Sequence, residues 1–467
     1  LMGEMKPYMI DGYVRGFYFG FKWGTLPDMY GDAPQHIHFV GIGGIGVSAL
    51  ARYYLAMGAG ISGSDLAASE ITNELLQLGI AIKIGAHKKT NVPKGATRVI
   101  CTPAISQNNL ELKEARARGL TVQTYPEALG ELTKTYQTIS ISGSHGKSTT
   151  TALVSLVLEE GYFDPTVIIG VKLREFGGAN FRRGRGPYLV IEADEWNRSL
   201  LNYSPECAVV TNIDREHMDT YKTLDDLEET FAEYLAKVPP KGVIVANADD
   251  PTLARVARKF GDKVRWYSLQ DPEAALIKPI LKIPGEHNLS NALAALKLGR
   301  ALGVFEHDIL QGLSRFSGAW RRFELRGIIN GAFIIADYGH HPSEIKATIH
   351  AARDRFPLRR IWCIFQPHQY QRLNFLWDEF VGAFDGADHI SLLPVYDVAG
   401  RETASAKKQV SSAKLVEEIK ARGKNVSYLE SFEEAKKCIH AEAHAGDIVL
   451  LMGAGDIYDL TKELTQT

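Results

Sequence analysis

The chain has 467 residues, of which 45% are hydrophobic and 23% charged, and its formal net charge is −2. This length suits about three domains of ~150 residues each, and the near-neutral charge argues against a nucleic acid as partner. Apolar runs are interrupted by charged residues or glycine well before ~18 residues, so the sequence predicts no membrane span. The four cysteines are far apart and lack the paired spacing of a metal site, so we expect reduced thiols and a cytoplasmic protein.

Residues 1–35 show neither helical nor strand periodicity, and we treat them as an extension of unknown order. From His36 onward, strand-like runs alternate with amphipathic helical stretches, which predicts the α/β class with mainly parallel sheets. We expect three consecutive domains, at residues 36–134, 135–322 and 323–467. The first and third are predicted to be Rossmann-like and the central one to resemble a P-loop ATPase.

The predicted strands are short apolar or alternating runs that lie between helical stretches. In chain order they are His36–Val40, Gly60–Asp65, Thr97–Cys101, Thr121–Gln123, Thr138–Ile141, Tyr188–Ile191, Ala208–Val210, Val243–Ala246, Phe333–Ala336, Ile361–Phe365, His389–Leu392 and Ile448–Met452. The longer predicted helices are Leu224–Leu235, Leu289–Leu302, Leu373–Phe384 and Ser411–Arg422.

A first glycine cluster, GIGGIG at residues 41–46, follows a predicted strand and opens a helix. Glycine at such a turn lets a diphosphate approach the amides at the start of the helix. Asp65 ends the next strand, where an acid can bind ribose hydroxyls. The pattern predicts a site for a dinucleotide-like diphosphate without specifying nicotinamide, and a tight turn without ligand is the alternative.

A second cluster, GSHGKSTT at residues 143–150, again lies between a strand and a helix. The backbone amides and Lys147 suit the β- and γ-phosphates of a nucleotide, and the hydroxyl of Ser148 suits Mg²⁺. Two acidic segments, EADE at 192–195 and NIDREH at 212–217, end later strands of the same domain. Their carboxylates are predicted to reach the metal or the γ-phosphate, because the carboxyl ends of parallel strands share one edge of the sheet.

One nucleotide site is compatible with a kinase or a simple ATPase. Two sites in consecutive domains indicate a nucleotide-carrying substrate and a separate phosphoryl donor. A carboxylate is a poor acyl donor to an amine until ATP converts it to an acyl phosphate, so a ligase explains both sites.

From about His36 the chain resembles the Mur ligases over nearly its whole length, and among them most closely those that join L-alanine to UDP-N-acetylmuramate. The resemblance rests on the spaced motifs GIGGIG, SGSHGKSTTT, EADE, TNIDREHMDTY, PGEHNLSNALAA, RRFE, DYGHHPSEI, QPHQYQR and GAGDI. It implies an ATP-dependent ligase of peptidoglycan precursor synthesis in the cytoplasm. The implied partners are UDP-N-acetylmuramate, L-alanine and ATP as co-substrate, with Mg²⁺ or Mn²⁺ as cofactor, and the chain is expected to be a monomer or weak homodimer.

The resemblance also implies a role for each of several residues. Those expected to bind the UDP-sugar are Gly43, Gly44, Ile45, Gly46, Asp65, His87 and Ser106. Those expected to bind ATP are Gly143, Ser144, His145, Gly146, Lys147, Ser148, Thr149, Asn288, Asn291, Arg322 and Asp337. Ser148, Glu192 and His217 are the expected metal ligands, and Lys147, Glu192 and His217 the expected catalytic residues. The amino-acid pocket is expected to consist of Tyr338, His340, His368 and Arg372, with Arg372 as partner of the substrate carboxylate.

The sequence departs from the family pattern in four places. Ala336 stands where a second Asp is usual, Gln369 where Arg or Thr is common, and Asp214 where Glu is usual. The stretch from Tyr267 to Pro284 is short for the two hairpin strands of relatives. Three alternative functions stay open at this point: a ligase that attaches a preformed tripeptide, a nicotinamide-dependent oxidoreductase and a non-catalytic nucleotide-binding regulator.

Overall fold

The computed structural model describes residues 9–10, 13–14, 35–217, 220–397 and 404–465. Two short strands, β1 (Met9–Ile10) and β2 (Tyr13–Val14), pair antiparallel in the N-terminal segment. Residues 1–8, 11–12 and 15–34 of the predicted extension 1–35 lie outside the described residues. The remaining elements form three sheets, which confirms the predicted α/β class with three units in succession.

The first sheet has five parallel strands in the order β5-β4-β3-β6-β7. Its strands are β3 (His36–Val40), β4 (Gly60–Asp65), β5 (Ala81–Ile84), β6 (Arg98–Cys101) and β7 (Thr121–Thr124). Its helices are α1 (Ile45–Ala56), α2 (Glu70–Gln77), α3 (Leu110–Ala117) and α4 (Tyr125–Thr133). The start of α4 is fixed by Thr124 and Glu127, which form a capping box.

The second sheet has seven strands in the order β10-β9-β11-β8-β12-β13-β14, and only β10 runs antiparallel to its neighbour. Its strands are β8 (Gln137–Ser142), β9 (Thr166–Leu173), β10 (Ala179–Arg182), β11 (Tyr188–Glu192), β12 (Cys207–Val210), β13 (Val243–Asn247) and β14 (Val264–Tyr267). Its helices are α5 (Lys147–Glu160), α6 (Leu224–Ala236), α7 (Pro251–Ala257), α8 (Glu273–Ile277), α9 (Glu286–Ala301) and α10 (Glu306–Arg315). Helix α5 is buried along most of its length because it packs between the sheet and α9 and α10.

The third sheet has six strands in the order β15-β16-β20-β17-β18-β19, with only β15 antiparallel. Its strands are β15 (Glu324–Ile329), β16 (Ala332–Asp337), β17 (Ile361–Phe365), β18 (His389–Leu392), β19 (Val426–Tyr428) and β20 (Ile448–Met452). Its helices are α11 (Pro342–Arg355), α12 (Tyr370–Phe375), α13 (Trp377–Val381), α14 (Ala404–Gln409), α15 (Ser412–Ala421), α16 (Phe432–Glu442) and α17 (Ile457–Thr465).

One local prediction differs from the structure, and the shortened segment before Pro284 has a structure of its own. The single helix predicted over Leu373–Phe384 is wrong, because the backbone leaves helical geometry at Leu376 (φ −109°, ψ 30°) and separates α12 from α13. The segment between Tyr267 and Pro284 contains no strand. It carries the short helix α8 instead, whose Ile277 is fully buried in the core beside α9.

Polar contacts join the first two domains beside the first glycine cluster. The buried Asn180 on β10 donates its side-chain amide to the carbonyl of Ile45 (2.6 Å) and to the hydroxyl of Ser48 (2.9 Å) on α1. Lys172 on β9 forms ion pairs with Glu70 and Glu74 on α2. These contacts hold the start of α1 against the sheet of the central domain.

Candidate active site

A cavity of about 940 Å³ opens where the three domains meet. It brings together most of the residues singled out from the sequence. Those that line it are Gly44, Ile45, Gly46, Ser144, His145, Gly146, Lys147, Ser148, Glu192, His217, Arg322, Tyr338, His340, His368 and Arg372. The others lie behind the lining or away from it: Gly43, Asp65, His87, Ser106, Gly143, Thr149, Asn288, Asn291 and Asp337.

The phosphate-loop residues 143–146 connect the buried strand β8 to helix α5. Gly143 (φ 129°) and Gly146 (φ 84°) adopt backbone conformations that other residues rarely take. The loop therefore presents the first turn of α5, with its free backbone N–H groups, to the cavity. This arrangement suits a phosphate group.

Lys147 is held at the cavity wall by Glu195, the last acid of the EADE segment. Its ammonium group donates to the carbonyl of Gly143 (2.7 Å) and to the carboxylate of Glu195 (2.9 Å). Burial opposes ionisation of Glu195, but Lys147 and His217 outweigh it and lower the pKa of that carboxyl to about 2. Both members of the pair are therefore charged before any nucleotide binds.

The predicted metal ligands form two neighbouring groups. The hydroxyl of Ser148 donates to the carboxylate of Glu192 (3.2 Å), which also accepts from the backbone N–H of Gly170 (2.8 Å). His217 lies instead beside Glu195, with 3.5 Å between Nε2 and Oε1. Burial raises the pKa of Glu192, so a cation next to this carboxylate would compensate for its desolvation. Oxygen donors of this kind fit a hard divalent cation.

In the first domain, Asp65 supports the glycine loop from behind. Its carboxylate accepts from the backbone N–H of Gly43 (2.8 Å) at the end of β3. His87 is held by the buried Glu111, with 2.8 Å between Nδ1 and Oε1. Ser106 is exposed and accepts from the backbone N–H of Asn108 in its own turn (3.2 Å).

Two predicted ATP contacts of the third domain differ in their accessibility. Arg322 lines the cavity, and its guanidinium lies over the ring of Tyr338 at 5.2 Å. Asp337 is buried, and its two oxygens accept from the backbone N–H groups of Phe323 and Gly339, each at 2.8 Å. Asp337 thus fixes the backbone around Arg322 and Tyr338 in this arrangement.

The predicted amino-acid pocket is assembled across the domain boundary. Arg372 contacts Nδ1 of His368 and the carboxylate of Glu216, both at 3.2 Å. Glu216 belongs to the central domain and also lies 3.6 Å from Nε2 of His340. The ring of His368 stacks on Tyr396 at 5.5 Å. The pocket therefore contains a guanidinium that His368 and Glu216 hold in place.

The two asparagines of α9 lie behind the phosphate loop. Asn288 donates its side-chain amide to the carbonyl of Pro284 (2.6 Å), and Asn291 contacts the loop at Gly146. Their role in binding ATP stays a prediction.

The three residues that depart from the family pattern lie in different environments. Ala336 is buried in β16. Asp214 accepts from the hydroxyl of Ser343 (3.0 Å) and lies 3.0 Å from Nε2 of His145, so the shorter side chain still reaches both neighbours. Gln369 lines the cavity with a positive φ of 72° at the start of α12.

Three carboxylates of the site received no individual role from the sequence: the buried Glu195 and Glu216 and the partly buried Glu344. Each lies inside a motif quoted above, namely EADE, TNIDREHMDTY and DYGHHPSEI. The motifs pointed to the region, but the individual role depends on partners from another segment of the chain.

Comparison with protein families accounts for all three domains. Residues 36–137 match the "Mur ligase family, catalytic domain", residues 141–299 the "Mur ligase middle domain" and residues 321–455 the "Mur ligase, glutamate ligase domain". The chain belongs to the Mur ligase family. It is a ligase, and the family is ATP-dependent.

Relatives of known function resemble this Mur ligase over nearly its whole length. The UDP-N-acetylmuramate–L-alanine ligase of Clostridium acetobutylicum is 38% identical over 456 residues, covering 93% of this chain and 98% of the relative. The enzyme of the same name from Acidobacterium capsulatum is 40% identical over 455 residues, covering 92% and 97%.

Solved structures show the same architecture. The UDP-N-acetylmuramate–alanine ligase of Thermotoga maritima superposes with a TM-score of 0.77 at 28% identity, covering 92% of this chain and 98% of that one. A murein peptide ligase from Psychrobacter arcticus superposes at 0.69 with 22% identity over 92% of this Mur ligase and 98% of its own chain, which shows the shared fold.

Two further expectations concern the whole chain. Within the described ranges, no helix is long and apolar enough to cross a membrane. The four cysteines are all free, and three of them, Cys101, Cys207 and Cys363, are buried.

Proposed function

We propose that this Mur ligase joins L-alanine to the lactyl carboxylate of UDP-N-acetylmuramate with hydrolysis of ATP to ADP and phosphate. The observation that carries the proposal is the single cavity lined by the glycine loop, the phosphate loop and the Arg372 pocket. Its three parts correspond to a diphosphate, a phosphoryl donor and an amino acid. The two relatives named above carry the same activity in their names. Peptidoglycan precursor synthesis is therefore the process to which we assign the chain, and its location in the cytoplasm stays a prediction.

In the first step, an oxygen of the lactyl carboxylate attacks the γ-phosphorus of ATP, and the bond to the β-γ bridging oxygen breaks to release ADP. Lys147 can exchange part of its contact with Glu195 and the loop carbonyls for the phosphate oxygens, where its charge stabilises the transferring group. Ser148, Glu192 and His217 would hold Mg²⁺ or Mn²⁺, which supplies further positive charge at the phosphates. The product of this step is an acyl phosphate.

In the second step, the free amine of L-alanine attacks the acyl carbon, and the tetrahedral intermediate collapses with loss of inorganic phosphate and of a proton from the nitrogen. Arg372 would hold the carboxylate of the incoming amino acid through the N–H groups that Glu216 and His368 leave available. Enclosure by three domains keeps the acyl phosphate from water.

Phosphate release tests the proposal. We expect release from ATP that requires UDP-N-acetylmuramate and L-alanine together, with lower kcat/KM for glycine and L-serine. Turnover with the tripeptide alone would favour the tripeptide ligase, and tight NADH binding without ATP turnover would contradict the assignment as a ligase of this substrate.

Replacement of Lys147 tests whether the UDP-sugar site and the ATP site bind their ligands independently. We expect Lys147→Ala to abolish turnover while UDP-N-acetylmuramate binding, measured by calorimetry, stays nearly unchanged, because the two loops belong to different domains. The exposed Lys241→Ala in the same domain serves as control. A large loss of UDP-sugar affinity in Lys147→Ala would contradict this division between the domains.

A further inference from the structure

Glu344 lies in the first turn of α11, and its two carboxylate oxygens contact different sides of the domain boundary. Oε1 accepts from the guanidinium of Arg322 at 3.2 Å and lies 3.7 Å from Nδ1 of His145 in the phosphate loop. Oε2 accepts from the backbone N–H groups of His340 (3.0 Å) and His341 (3.3 Å) in the third domain. One side chain thus touches both the phosphate loop and the backbone that carries the amino-acid pocket.

His145 connects this carboxylate to the central domain. Its Nε2 lies 3.0 Å from Asp214, so the ring is placed between two acids, one from each domain. Burial disfavours the protonated ring, but Asp214 and Glu344 outweigh it and raise the pKa of His145 to about 10. The charged ring donates to Asp214 at 3.0 Å and attracts Glu344 across 3.7 Å, so it forms an electrostatic bridge between the two carboxylates.

The residues on the Oε2 side lead to the amine pocket. His340 lies in the pocket next to His368, with 5.9 Å between ring centres, and its Nε2 faces Glu216, the partner of Arg372. A shift of the phosphate loop would therefore move His340 through His145 and Glu344. The nucleotide and the amino acid need not contact each other for this effect.

We propose that Glu344 is a positioning residue that couples occupancy of the phosphate loop to assembly of the amine pocket. The inference rests on the proposed function for the identity of the two ligands. A carboxylate is needed at this position because both of its oxygens accept hydrogen bonds. The amide of a glutamine can accept on one side only and presents N–H donors to the other.

The first measurement uses hydrogen exchange and does not depend on which amino acid is added. In the unaltered protein, a non-hydrolysable ATP analogue with Mg²⁺ is expected to slow backbone exchange of residues 338–345 at least about fivefold, a typical allosteric coupling. In Glu344→Gln the ratio of the exchange rates without and with the analogue is expected to lie within about twofold of 1. Asp354→Asn, an exposed acid-to-amide change on the same helix, should retain the full ratio.

The second measurement is the KM for L-alanine at low and at saturating ATP. We expect the two values to differ by at least about fivefold in the unaltered protein and to converge in Glu344→Gln. If Glu344 only stabilised the fold, Glu344→Gln would lower stability at both ATP concentrations but would leave the ratio of the two KM values unchanged.

His145→Gln provides a second variant on the central-domain side of the bridge, and its affinity for the analogue is measured as well because His145 lines the phosphate site. It should reduce the hydrogen-exchange ratio as Glu344→Gln does, and the double variant should lose no more than either single one. Retention of the analogue effect in Glu344→Gln, or additive losses in the double variant, would overturn the proposal. Absence of alanine-dependent turnover with an intact exchange effect would instead contradict the proposed function and leave the coupling supported.

Discussion

The carboxylate of Glu216 in the central domain lies 3.2 Å from the guanidinium of Arg372 in the third domain, and both side chains are largely buried. Burial opposes ionisation of Glu216, but Arg372 and His340 outweigh it and hold the pKa of that carboxyl well below its usual range. An ion pair of this kind fixes the direction of the guanidinium before a substrate arrives. It also gives the two domains a preferred relative position.

Removal of this partner should affect amino-acid binding more than ATP binding. We expect Glu216→Gln to raise the KM for L-alanine about 30- to 150-fold, since losing one member of a buried charge pair costs roughly 2–3 kcal/mol. The KM for ATP should change by much less. Steady-state kinetics with Glu229→Gln, an exposed change on α6, as control measures the effect. An unchanged KM for L-alanine in Glu216→Gln would remove Glu216 from the pocket.

Two glycine-to-alanine changes distinguish a steric clash in the phosphate loop from the backbone strain of a positive φ. A Cβ atom on Gly146 would lie 2.5 Å from Oδ1 of Asn291, whereas a Cβ on Gly303 would meet no atom within 4 Å. The two glycines have nearly the same φ, 84° and 82°. We expect Gly146→Ala to abolish binding of an ATP analogue, and Gly303→Ala to cost only about 1 kcal/mol of stability with binding intact. Equal effects of the two changes on binding would show that Asn291 does not constrain the loop.

A buried carboxylate in the first domain predicts a dependence of stability on pH. Glu111 accepts hydrogen bonds from Ser64 and Asn91 and is paired with His38 and His87, all between 2.7 and 2.9 Å. Burial opposes its ionisation, but these partners lower the pKa of Glu111 from 4.5 to about 2. Because the folded pKa is depressed, its contribution is fully present above about pH 4.5 and is lost as the pH falls through about 2.

We therefore expect Glu111→Gln to lower the free energy of unfolding of the first domain by about 3 kcal/mol at pH 7. The difference from the unaltered protein should shrink as the pH falls from 4.5 toward 2. Urea unfolding at several pH values, followed by circular dichroism, measures it. The partly exposed Glu114→Gln on α3 should show no such trend. A difference that is constant with pH would mean that the charge of Glu111 does not contribute.

The sequence by itself determined the class of fold and the position of the two phosphate-binding loops. Buried strands such as β17 and β20 are continuous apolar runs, and glycine is required where the backbone of the phosphate loop turns at Gly146, so both leave a local signal. The edge strands β5, β10 and β15 were missed because they are partly exposed and lack such a run.

Only the tertiary structure decided which charged groups act on one another. Glu344, Glu216 and Glu111 are ordinary acids in the sequence, and each takes its role from partners on distant segments. The physical reason is that the sequence around an acid does not show whether its carboxylate lies in water or is enclosed beside a cation. Burial and the approach of the domains distinguish them, and both arise from the packing of the whole chain.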